Sequence, residues 1–180
     1  MTTRKRRAVR DAAKLRRLYI DCRYGQLHLT TAYPSSGGFD EASPLVFLHG
    51  ETGNGADFNA CAALLGCDRS VYAPDLPGCG ASDAPPGRVT VSGLADAVCD
   101  LIDQLRLRTV DVFGCGRGAQ VAFELAAARP QNVRRLIICG QQPVAATSKP
   151  LLQLGADPAS VLAEPPESVA AVIRDFLDGD

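Results

Sequence analysis

Hydrophobic positions recur along the chain with two alternating periods. The run Pro44-Leu-Val-Phe-Leu-His49 is continuously apolar, as expected of a strand covered on both faces of a parallel sheet. Shorter runs at 70–73, 109–113, 135–139 and 150–154 predict further strands. Ahead of them, 17–23 and 26–32 alternate, and the Tyr24-Gly25 turn between them predicts a hairpin. Pro34-Ser-Ser-Gly-Gly38 reads as a loop. Helical spacing occupies 56–65, 119–128 and 91–105, the last with apolar residues at 91, 94, 95, 98, 101, 102 and 105. A final amphipathic helix is predicted over 166–177, opening on Pro-Glu-Ser. This alternation predicts an α/β fold: a mostly parallel, doubly wound sheet with helices on both faces, forming a single domain over 17–180.

Composition narrows the class. With 180 residues, 46% hydrophobic and 22% charged, the chain suits one soluble globular domain. Its apolar runs are far shorter than the roughly 18 residues of a membrane span. Residues 1–16 form a basic leader, and 1–23 hold nine Lys or Arg against two Asp, while the remainder is acidic. No apolar segment follows the basic residues as a secretory signal requires, so a cytoplasmic location is expected. Asp11 interrupts the leader and no aromatic precedes Tyr19, which predicts a solvated arm and no specific nucleic-acid partner. Seven cysteines without a C-x-x-C spacing read as reduced thiols, with no disulfide framework and no metal site.

Chemistry in such sheets sits at the carboxyl ends of the strands, where three glycine-rich turns fall: His49-Gly50-Glu51-Thr52-Gly53, Asp75-Leu-Pro-Gly78-Cys79-Gly80-Ala-Ser82, and Gly114-Cys115-Gly116-Arg117-Gly118-Ala119. Taken alone, Gly114-x-Gly116-x-x-Ala119 matches a dinucleotide-binding turn. It follows three earlier strands instead of opening the sheet, and Gly140-Gln141-Gln142 stands where the ribose-binding acid belongs. Taken together, the three turns resemble the α/β-hydrolase fold family, from about Arg17 to Gly140 and again from Lys149 to Leu177. The resemblance implies a nucleophile on the third turn, an acid after a late strand, a histidine base beyond it and an oxyanion hole.

Mapped onto this family, the roles are incomplete. The apex between Gly114 and Gly118 is Gly116, which has no side chain to attack a carbonyl. Cys115 is an alternative nucleophile, but it is displaced by one residue from the apex. Asp157, in Leu154-Gly155-Ala156-Asp157-Pro158, falls at or near the acid position, in a turn one residue shorter than the family's, and reads equally as an ordinary turn Asp before proline. Ser160 stands where the resemblance places the histidine, and a hydroxyl cannot serve as a base near neutral pH. The only histidines are His28 and His49. His28 reads as an ordinary strand residue and His49 as a member of the oxyanion loop. The resemblance assigns oxyanion or ligand contacts to His49, Gly50, Glu51 and Arg117, and the opposite charges of Glu51 and Arg117 predict either an ion pair across the mouth of the site or an anionic ligand held by Arg117 at the helix N-terminus.

The eight residues between Gly140 and Lys149 leave no space for a cap, and a late strand and helix of the family are missing. The strand edge so exposed is where a homodimer is expected. Three functions follow as expectations: a catalytically degenerate hydrolase-fold protein that binds a small molecule or partner, an active hydrolase of an ester or related substrate using Cys115, or a dinucleotide binder. The hydrolase readings call for no cofactor.

Overall fold

The computed structural model describes residues 12–35, 42–140 and 147–179. The hairpin is formed by β1 (Arg16–Cys22) and β2 (Gly25–Ala32). It turns at Gly25, whose φ of +110° disfavours other residues and whose Cβ would fall on the Asp83 carboxylate. β3 (Ala42–Leu48) leads into a 3-10 turn over Gly55–Phe58 and α1 (Asn59–Leu65). β4 (Arg69–Pro74), α2 (Val91–Gln104), β5 (Val110–Cys115), α3 (Arg117–Ala128) and β6 (Val133–Cys139) then alternate. β7 (Leu151–Gly155), α4 (Pro158–Ala163) and α5 (Pro166–Asp178) complete the described chain.

The seven strands form one sheet in the order β1-β2-β4-β3-β5-β6-β7. β1, β2 and β4 are joined antiparallel, and from β4 to β7 every pairing is parallel. The period of two along each strand sorts side chains between two cores. Val46, Leu48, Val112, Leu136 and Ile138 enter one with α2 and α3. Leu45, Phe47, Phe113 and Ile137 enter the other with α1 and α5. β4 and β5 are buried along their whole length, the reason their sequences show no polar face.

Differences from the expected elements have local causes. The helix expected over 56–65 divides, because Asn54 caps the 3-10 turn through Ala56 N–H and α1 begins only at Asn59. α4 was not expected. It starts where the Asp157 carboxylate accepts hydrogen bonds from the Ala159 and Ser160 amides, an N-cap followed by proline. Most of the leader and of the loop at 34–38, with Gln141 and Gln142, lies outside the described residues. At the described end of the leader, Ala13 N–H donates to the Ala63 carbonyl at 2.8 Å and Leu15 packs beside α1.

The amino end of the sheet carries an ionic cluster. Arg69, 0% exposed, pairs with Asp68 at 3.1 Å and Asp178 at 2.5 Å, while Arg174 reaches Asp68 at 2.8 Å. Arg134 and Arg135 donate to the carbonyls of Phe176 and Leu177 at the end of α5. Cations at a helix carboxyl end meet both its free carbonyls and its dipole, and α5 is thereby fastened across the sheet.

Candidate active site

The turn between β5 and α3 is a sharp elbow. Gly116 has φ 54° and ψ −117°, a backbone conformation that costs other residues strain. A Cβ on Gly114 would lie 2.5 Å from the Gly118 carbonyl oxygen, and one on Gly118 would fall on the Leu48 carbonyl. Both flanks must therefore be glycine for the elbow to pack against β3. The apex differs: a Cβ on Gly116 would meet only the Gly50 Cα, at an ordinary 3.6 Å. The apex has room for a side chain and carries none.

Gly50 is held against the elbow by the loop after β3. His49, 1% exposed, accepts at Nε2 from the Leu76 amide at 2.9 Å. Its Nδ1 must then carry the proton and donate to the Gly50 carbonyl at 2.7 Å. Both ring nitrogens are committed, so His49 fastens the loop and has no nitrogen free to exchange a substrate proton.

The second glycine turn is organised by Asp75. Its buried carboxylate accepts from the Gly55 amide at 2.7 Å, the Ala81 amide at 2.8 Å and His28 Nδ1 at 3.0 Å. The Ser82 hydroxyl donates to the Asp75 carbonyl and accepts from the His28 amide. His28 thus fastens this loop as well as belonging to β2, which corrects its reading as an ordinary strand residue. The Asp75-x-x-Gly-x-Gly-x-Ser82 spacing signalled the loop, but nothing nearby in sequence signalled its histidine.

The remaining residues singled out from sequence are arranged as follows. Cys115, 1% exposed, lies opposite Cys139 in the β5–β6 ladder. Its thiol is pushed well above the ordinary range by a hydrogen bond with the Cys139 thiol first, then by burial and the carboxylates of Asp57 and Asp157. Asp157 is exposed and caps α4, and its carboxylate also accepts from the Ser160 hydroxyl at 2.5 Å. The ion pair expected between Glu51 and Arg117 does not form. Arg117 donates instead to the Val89 carbonyl at 2.9 Å, because the helical start of α3 aims its side chain toward the segment before α2, and Glu51 is exposed. Among the described residues, neither the Glu51 nor the Arg117 amide donates to a protein acceptor. The Gly116 amide donates to the Cys139 carbonyl at 2.9 Å and so is not open to a pyrophosphate. No group of three or more His, Cys, Asp or Glu side chains among the described residues could hold a metal ion. No described helix is long and apolar enough to cross a membrane.

Known proteins resemble this chain in sequence and in fold. A 2-hydroxymuconate semialdehyde hydrolase from Pseudomonas sp. strain CF600 is 31% identical over 120 residues, covering 64% of this chain and 41% of that protein. An uncharacterized protein of Mycobacterium bovis is 35% identical over 94 residues, 52% of this chain and 28% of its own length. Among solved structures, an epoxide hydrolase without ligand superposes with a TM-score of 0.64 at 26% identity, covering 74% of this chain and 46% of that one. A serine-to-glycine mutant of an N-acyl homoserine lactonase, complexed with N-hexanoyl homoserine lactone, gives 0.64 at 29% identity, covering 72% and 47%. The chain spans less than half the length of these relatives. The model of the α/β hydrolase fold matches residues 43–172, the stretch containing the loop after β3, the Asp75 turn and the elbow, and the chain belongs to the α/β hydrolase fold family.

Proposed function

We propose that this protein binds a small acyl ester or lactone at the elbow without hydrolysing it. The observation that carries this reading is Gly116, which keeps a strained apex conformation with space for a side chain but supplies no nucleophile. The groups that could replace one are engaged elsewhere. Cys115 is buried and its proton is tightly held, Asp157 and Ser160 bond to each other, and both nitrogens of His49 are occupied. What persists is polar backbone: the Glu51 and Arg117 amides can donate to a carbonyl oxygen, which orients a ligand without any side-chain chemistry. The lactonase relative lends support, since its serine-to-glycine mutant is complexed with an acyl homoserine lactone. Titration calorimetry with N-hexanoyl homoserine lactone is expected to show saturable binding, and p-nitrophenyl butyrate is expected to turn over no faster than in buffer.

The names of the relatives favour a second reading, an active ester-type hydrolase. Turnover well above buffer that disappears in Cys115→Ala would establish it and overturn the first. Saturable NAD binding would instead support a dinucleotide site.

A further inference from the structure

We infer that two copies of this chain join through β7, antiparallel about a two-fold axis at Gln153. β7 ends the sheet order, and among the described residues its outer edge pairs with no strand. None of its five residues is buried and none is charged, so it lacks the charges and prolines that usually protect a sheet edge. The Pro150 carbonyl faces β6, accepting from the Leu136 amide at 2.9 Å. Strand alternation therefore aims the backbone N–H and C=O groups of Leu151 and Gln153 at the open side.

Sequence and register identify the occupant as a second copy. Centring an antiparallel pair on Gln153 sets Leu151 opposite Gly155 and Leu152 opposite Leu154. It also sets Lys149 of each copy opposite Asp157 of the other. The Gly155 carbonyl is turned inward to the Gly140 amide at 2.8 Å, after the register shift between Ile138 and Cys139 in the β6–β7 pairing, so the new ladder rests on the reciprocal Gln153 bonds at its centre, and opposite charges stand at both ends. The charged groups retain capacity for this contact. Among the described residues, Lys149 Nζ makes one bond, to the Pro130 carbonyl, and has two further donors. Asp157 uses three of about four acceptor positions, on Ala159, Ser160 and the Ser160 hydroxyl. Beside the edge, Val172 is 46% exposed and lines, with Leu154, Val161 and Val169, a cleft of about 510 Å³. Pairing would draw this apolar surface together on both copies.

Sedimentation equilibrium of the full chain at about 100 µM, above the micromolar range of a modest interface, is expected to show a dimer. A monomer at that concentration overturns the proposal. Lys149→Glu alone and Asp157→Lys alone each set like charges together at both ends, and each is expected to weaken the dimer at least about tenfold. Mixed in equal amounts, the two variants meet with opposite charges at both ends, the exchanged pair at one and the native pair of Asp157 with Lys149 at the other, and a one-to-one heterodimer is expected. Wild-type dimers unaffected by Lys149→Glu, with folding verified by circular dichroism, would place the contact elsewhere and overturn this register. Gln153→Pro, which removes the central N–H donor, provides an independent variant: it is expected to be monomeric, and a dimer of undiminished affinity overturns the proposal.

Discussion

The three glycines of the elbow make different demands on the chain. At Gly118 the obstacle to a side chain is the Leu48 backbone, which cannot move without shifting β3. Gly118→Ala is therefore expected to cost more than about 3 kcal/mol, measured by urea unfolding. At Gly116 the obstacle is conformational, since φ is +54° while the space is open. Gly116→Ser is expected to cost only about 1–2 kcal/mol and to fold. Without a base within reach, it is expected to leave the p-nitrophenyl ester rate within a few-fold of buffer; a gain of a thousandfold would reveal a base that Gly116 conceals. The thiols divide in the same way. Cys22, Cys61, Cys67 and Cys79 are partly exposed, whereas Cys99, Cys115 and Cys139 are buried. Ellman's reagent at pH 8 is expected to titrate only the first group in native protein, slowest at Cys61, whose thiol burial and Glu167 push up to about 11, and all seven after denaturation. The glycine pattern that defines the elbow was visible in the sequence because it is local. The bond between His28 and Asp75 was not, because it spans 47 positions and no periodicity encodes it.

Elements were legible in proportion to their length. α2, with fourteen residues and a full apolar stripe, announces itself, whereas α4, with six residues and none of them buried, carries only its Asp-Pro start. That start makes α4 sensitive to acid. The Ser160 hydroxyl, followed by the Ala159 and Ser160 amides, holds the Asp157 carboxyl below the usual carboxylate range. A carboxyl lowered in the folded state contributes stability that is complete above its unfolded pKa and is lost as pH falls through the folded value. Hydrogen-exchange protection of the Ala159 and Ser160 amides is therefore expected to be steady from neutrality to about pH 4 and to collapse below it, and Asp157→Ala is expected to remove it at every pH. The other end of a helix presents the opposite case. Arg106, just past α2, has φ +53°, and the Leu107 amide reaches back to the Ile102 carbonyl, a helix stop that favours glycine. Arg106→Gly is expected to stabilise the protein by about 1 kcal/mol, read as a higher urea midpoint.

Across the whole molecule, alternating strand and helix signals were enough to infer a parallel sheet with helices on both faces, since right-handed crossovers leave few alternatives. The fastening of the last helix was not legible. Its ionic contacts join Asp68 to Arg174 and Arg69 to Asp178, separations of 106 and 109 residues, and charge patterning along a sequence does not reveal which distant partners meet. In this cluster Arg69 is fully buried, and its Nη1 has no hydrogen-bond partner among the described residues, so its charge depends on the carboxylates around it, with Asp68 and Asp178 in direct contact and Asp111 nearby. Asp68 supplies one of them and also pairs with Arg174 of α5, whose guanidinium reaches the Leu64 carbonyl of α1. Removing a carboxylate from a buried arginine leaves that charge under-compensated, which costs more than the pair itself contributes. Asp68→Ala is accordingly expected to destabilise the fold by about 3 kcal/mol, the lower end of the range for breaking a buried pair, because Asp178 remains. The loss should be concentrated where the cluster acts: amides of α5 should exchange faster relative to those of α3, which packs on the other face of the sheet. Equal acceleration in both helices would mean that the ionic cluster stabilises the sheet as a whole and does not specifically fasten α5.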